Sequence, residues 1–103
     1  ATAPALGQFL VLAQDFKDEG ALERRLSVRE EHMRIAKQMK REGKLIFGGA
    51  MLDAQGTMNG SALVYEAPDE AQVRRWVAED PYIVGRVWDQ VEIKPFRLAP
   101  LEQ

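Results

Sequence analysis

At 103 residues, 46% of them hydrophobic and 29% charged, the chain is long enough for one domain with a real core, and its composition suggests neither a disordered nor a membrane class. Its formal net charge is −2, and the basic pairs Arg24-Arg25, Lys40-Arg41 and Arg74-Arg75 are diluted by neighbouring acids, which argues against a nucleic-acid-binding stripe. With no cysteine there is neither a disulfide framework nor a thiolate metal site, in keeping with a reducing, cytoplasmic setting.

Residues 1–7 read as a loose N-terminal tail without the basic-then-apolar order of a signal peptide. A single domain over 8–98 and a short tail over 99–103 follow. Gln8 to Asp15 carries apolar residues on both alternating sets, Phe9, Val11 and Ala13 against Leu10 and Leu12, the pattern of a strand covered on both faces. A first helix starts between Ala21 and Ser27 and ends at Gly43, with Lys40-Arg41 suiting its carboxyl end. Within it Val28, His32, Ile35, Ala36 and Met39 form one stripe at helical spacing, while Glu30, Glu31, Arg34, Gln38, Arg41 and Glu42 take the opposite side. The one histidine of the chain therefore faces the core.

Lys44 to Leu52 is a second strand, again apolar on both sets and interrupted by Gly48-Gly49. Paired glycines inside a strand suggest a bulge or a place where a ligand comes close, and they make Gly49 a candidate ligand contact. After a turn over Asp53 to Asn59, Gly60 to Glu66 returns as a hairpin partner. Pro68 and Asp69 open a second helix with Val73, Trp76 and Val77 inside; Asp80 lies one step further along that stripe, and Pro81 stops the helix. Tyr82 to Gly85 reads as a connector, and Arg86 to Arg97 as a last strand that Pro95 places at an edge.

Strand, helix, strand, strand, helix, strand is the ferredoxin-like βαββαβ order of an α+β domain, a four-stranded antiparallel sheet with two helices on one face. Two helices cover one face only, yet the first three strands are apolar on both. The expected cover is a second copy of the chain, giving a homodimer whose two sheets form a barrel-like sandwich. Whether dimers associate further stays open.

In this topology the two helices lie side by side, so His32 and Asp80 can meet. A carboxylate beside an imidazole holds its tautomer and supports the imidazolium, which is the equipment of a general base or acid. A lone histidine on an apolar stripe is also a common packing residue, and an aspartate before proline a common helix terminator, so the residues alone leave both readings open. Arg29, roughly one turn from His32, suits an anionic substrate oxygen or a solvated rim; Ser61 and Tyr82 offer hydroxyls for binding, packing or capping. Trp76 and Trp88 read as core and interface. One histidine and no cysteine speak against a metal site, and neither a serine-nucleophile motif nor a phosphate-binding glycine loop is present. His32 is the one imidazole candidate for a haem axial ligand, a minor reading.

The run Arg29-Glu30-Glu31-His32, the segment from Gly43-Lys44-Leu45 to Gly48-Gly49, Gly60-Ser61, Ala78-Glu79-Asp80-Pro81-Tyr82 and Val91-Glu92-Ile93-Lys94-Pro95-Phe96, taken in order, resemble the YciI-like (YCII-related) family over about Gln8 to Leu98. The resemblance implies a dimeric α+β barrel and an active-site histidine–aspartate pair at His32 and Asp80. It also points to relatives that shift protons on small oxygenated rings, namely a dehydrochlorinase acting on a chlorinated hydroxyhydroquinone and, in the same barrel fold, muconolactone isomerases. The expectation is a cofactor-free lyase or isomerase with His32 as base, Asp80 as its orienting partner, and Arg29, Ser61, Tyr82 and Gly49 around a small organic ligand. The alternative is a non-catalytic small-molecule-binding homodimer that keeps the pair as a polar network.

Overall fold

A computed structural model of the protein describes residues 5–101. The tail assignments for residues 1–4 and 102–103 lie outside them. Strand β1 (Gly7–Asp15) leads into helix α1 (Ala21–Arg41); strands β2 (Leu45–Leu52) and β3 (Met58–Ala67) form a hairpin; helix α2 (Glu70–Glu79), the single-turn helix α3 (Pro81–Val84) and strand β4 (Trp88–Phe96) follow. All pairings are antiparallel, and the sheet order is β2-β3-β1-β4.

Register sorts the side chains. Opposite residues in an antiparallel pair share a face. Val11 lies across from Leu63 on one side and Ile93 on the other, and Ala13 across from Ser61 and Val91. This face meets the helices: Val11, Ala13, Leu63, Tyr65 and Ala67 join Val73 and Val77 of α2 in one buried cluster, against which Val28, Ala36 and Met39 of α1 pack. The stripe read from the sequence is therefore the buried face of α1. It begins earlier than expected, because Ala21 and Arg25 are buried too.

Local chemistry sets the boundaries. Helix α1 is followed by Gly43 at φ +75°, a left-handed residue that glycine adopts without penalty. Asp69 caps α2 by accepting the Gln72 N–H at 2.9 Å. The segment expected as a connector after Pro81 is instead a helical turn, because proline at its first position and Asp80 as its N-cap restart the helix immediately. At Gly60 a Cβ would lie 2.6 Å from the Ala13 carbonyl oxygen and 2.6 Å from Met51 Cε, so only glycine lets β1 and β3 approach there. Among the described residues no helix is long and apolar enough to cross a membrane.

One expectation is corrected. The sheet is not closed into a barrel: β2 and β4 are free edges of an open four-stranded sheet. Four strands are too few to curl round a filled interior, which takes about eight. The architecture is an open, twisted sheet with α1 and α2 on one face, and Pro95 lies on the β4 edge where its missing N–H breaks no ladder.

Candidate active site

Helix α1 presents His32 on its buried side, and the break between α2 and α3 presents Asp80 to it. His32 Nδ1 lies 2.8 Å from Asp80 Oδ1, and both side chains are more than nine-tenths buried. The same Oδ1 accepts the Tyr82 backbone N–H at 2.9 Å as part of the α3 cap. Asp80 is thus fixed by the backbone before it meets the imidazole. A carboxylate only accepts, so Nδ1 carries the hydrogen and Nε2 keeps its lone pair. Nε2 has no hydrogen-bond partner among the described residues and is not sealed from solvent.

Aromatic rings hold the imidazole plane. Tyr82 stacks on it with centroids 3.9 Å apart and planes 15° from parallel, and Trp88 meets it edge-on at 5.9 Å. On Tyr82's own ring sits the Arg25 guanidinium, 4.5 Å from the centroid. Burial raises the Tyr82 hydroxyl above its ordinary value, against the opposing charges of Arg25 and Arg29.

Arg25 is the buried hub beside the pair. Its Nη1 donates to both oxygens of Asp15 at 3.0 and 3.1 Å, and its Nη2 to the Gly60 carbonyl at 2.8 Å and to Ser61 Oγ at 2.7 Å. Trp88 Nε1 also donates to Ser61 Oγ, at 3.1 Å. Two incoming donors occupy both lone pairs of this hydroxyl, which leaves its own hydrogen to be given elsewhere. Arg25 Nε is the one buried side-chain polar atom without a partner among the described residues.

These groups open on a cleft of about 690 Å³ between α1 and the β2–β3 hairpin, lined by the buried Arg25, His32, Ser61 and Tyr82 and by the exposed Arg29 and Gly49. Every residue singled out from the sequence lines it except Asp80, which stands behind His32. Gly48 lies opposite Leu63 on the helix side of the sheet, and Gly49 opposite Ala62 on the other. Arg25, Asp15 and the Trp88–Ser61 bond escaped the sequence reading. Continuing the α1 stripe three residues back from Val28 lands on Arg25, which marks it as buried, whereas its basic neighbour Arg24 reaches out to Asp18 at 2.7 Å. Among the described residues no group of three or more histidine, aspartate or glutamate side chains is arranged to hold a metal ion.

Fold and site together define a small α+β protein with a buried histidine–aspartate pair at the wall of a ligand-sized cleft. The chain belongs to the YCII-related family, whose domain matches residues 8–97. It is 32% identical over 95 residues to the YciI protein of Escherichia coli O6:H1, a match covering 86% of this chain and 95% of the relative. An uncharacterised protein of Haemophilus influenzae is also 32% identical, with the same coverage. Among solved structures, the 5-chloro-2-hydroxyhydroquinone dehydrochlorinase of Burkholderia phenoliruptrix AC1100, in complex with 2,5-dihydroxybenzoquinone, shares the fold with a TM-score of 0.78. Its sequence is 24% identical, and the match covers 89% of this chain and 95% of that one.

Proposed function

We propose that this protein is a cofactor-free lyase or isomerase that moves a proton on a small oxygenated ring compound. The observation that carries the reading is the buried His32–Asp80 pair, whose outer nitrogen has no partner among the described residues and faces the cleft. Support comes from the dehydrochlorinase that shares the fold, whose structure holds a dihydroxybenzoquinone.

In this reading His32 Nε2 takes a proton from a ring hydroxyl or an activated carbon, and the electron pair left behind moves onto the ring and its oxygens. Asp80 holds the resulting imidazolium in place. The Ser61 hydrogen, already directed away from Arg25 and Trp88, is available to a ring oxygen as negative charge develops on it. In an isomerase the imidazolium returns the proton at another atom. In a lyase the leaving group departs with its bonding pair and the proton passes to solvent. Tyr82 sets the imidazole plane, Gly49 borders the ring, and Arg29 meets ligand oxygens at the rim.

With a single histidine, one imidazole ring C–H signal reports on the site. Catechols, hydroxyquinols and small lactones are expected to shift it, and at least one to be turned over by the wild type but not by His32→Gln. Binding without turnover across the panel leaves the non-catalytic binding module; no shift with any compound removes the reading for this substrate class.

The reading includes a homodimer. The sheet face turned from the helices carries Leu10, Leu12, Ala62 and Phe47, the last 48% exposed. A second copy is the partner whose own apolar face matches it. Sedimentation is expected to give twice the chain mass for the wild type and the chain mass for Phe47→Glu; a wild-type monomer at micromolar concentration overturns the dimer.

A further inference from the structure

The cleft is charged in one sense only. Arg25, Arg29, Lys37, Lys40 and Arg41 line it, and among the described residues no acidic side chain does, although the chain as a whole has 16 acidic residues against 14 lysines and arginines. Three of the five cations are already engaged. Arg25 is neutralised by Asp15, Lys40 donates to the Ile46 carbonyl, and Arg41 donates to Gln38. Arg29 and Lys37 have neither an ion pair nor a side-chain hydrogen bond among the described residues, whereas Arg24 and Arg34 on the same helix each hold a carboxylate within 2.7 Å.

We propose that the ligand of this cleft is a small carboxylic acid with an apolar or aromatic body, its carboxylate held by Arg29 and Lys37 while the body reaches His32. The inference rests on the reading that the cleft beside His32 is the ligand site, and it names the substrate class. Arg29 and Lys37 stand two turns apart, roughly 12 Å along α1, with Met33 between them. The opposite walls are Leu45 and Leu63, so a cleft with cations along its α1 wall and apolar surface facing them matches an amphipathic acid whose carboxylate lies between the Arg29 and Lys37 side chains. Uncompensated cations above low-dielectric walls focus the potential into the cleft and raise the local concentration of anions. Phosphate recognition typically uses backbone N–H groups at a helix N-terminus, and the first turn of α1 does not line this cleft.

The test compares 2,5-dihydroxybenzoate with 2,5-dihydroxybenzamide, which differ in charge and hardly in shape. Binding is read by calorimetry and by the His32 ring signal. The carboxylate is expected to bind roughly tenfold tighter than the amide, with the gap shrinking as salt is raised. Arg29→Gln and Lys37→Gln are each expected to weaken the carboxylate by roughly three- to tenfold and the amide by less, so that the gap between the two compounds narrows. Arg34→Gln, whose partner is Glu31, is the control and changes neither. Equal affinity for the two compounds, with both shifting His32, overturns the carboxylate selection while the ligand site stands. If neither compound shifts His32, the site reading falls and this inference with it.

Discussion

Arg25→Met is expected to destabilise the fold by about 3–5 kcal/mol, because it strands a buried carboxylate without a partner. Asp15 is 6% exposed, and the guanidinium facing it is 2% exposed and spends both Nη groups on Asp15, the Gly60 carbonyl and Ser61. For a domain of this length the melting temperature should fall by roughly 15 °C or more. The pH dependence has a definite sign. Burial pushes the Asp15 carboxyl above its ordinary 3.8, and the charge and hydrogen bond of Arg25 pull against that. Without Arg25 the folded-state carboxyl rises further. A carboxyl that binds its proton more tightly folded than unfolded gains stability as the pH falls through its raised value toward 3.8. The deficit of Arg25→Met relative to wild type should therefore narrow on acidification from pH 7 toward 4. Adding Asp15→Leu should recover most of the loss at pH 7, since the pair is then replaced by apolar surface. Thermal melts across that pH range decide it: an unchanged melting temperature, or a deficit that widens in acid, removes Arg25 as the anchor.

What the sequence made legible follows from which signals are local. Helix periodicity placed His32 on the buried side of α1, and the proline and capping chemistry placed Asp80 at the end of α2, because both depend on neighbours within a few residues. Their meeting at 2.8 Å depends on topology, and the alternation of strands and helices was enough to bring it within reach. The Arg25 hub was not legible in the same way. A basic residue beside another basic residue looks solvated, and only the pairing of β1 with β3 brings Asp15, Gly60 and Ser61 around it. The start of α3 at Pro81 was hidden for the opposite reason, since the proline that ends one helix is also well suited to begin the next. Barrel closure was the expectation that failed. Two-sided apolar strands say that a face is covered, and they carry no information on whether the sheet's own edges meet. In this chain β2 and β4 remain apart at the two edges.

The capping role of Asp80 makes its substitutions unusually informative about the chemistry. Its Oδ1 accepts both the His32 Nδ1–H and the Tyr82 N–H. An asparagine that keeps its amide oxygen in that position satisfies both donors, so Asp80→Asn preserves the cap and the His32 tautomer and removes only the negative charge. Losing a charge-assisted bond of about 1.5–3 kcal/mol predicts a fall in turnover of roughly 10- to 150-fold. Asp80→Ala removes charge, tautomer control and cap together. It should lower turnover by about 10²- to 10⁴-fold and stability by about 0.5–2 kcal/mol. Nitrogen-15 correlation spectra separate the two variants independently of any substrate: the hydrogen stays on Nδ1 in wild type and Asp80→Asn, and is shared between the two nitrogens in Asp80→Ala. If Asp80→Ala turns over like the wild type, His32 does not depend on Asp80 and the pair is not the catalytic unit. If Asp80→Asn is as damaged as Asp80→Ala while its tautomer is intact, Asp80 acts on the imidazolium through its charge alone, and holding the tautomer adds nothing to turnover.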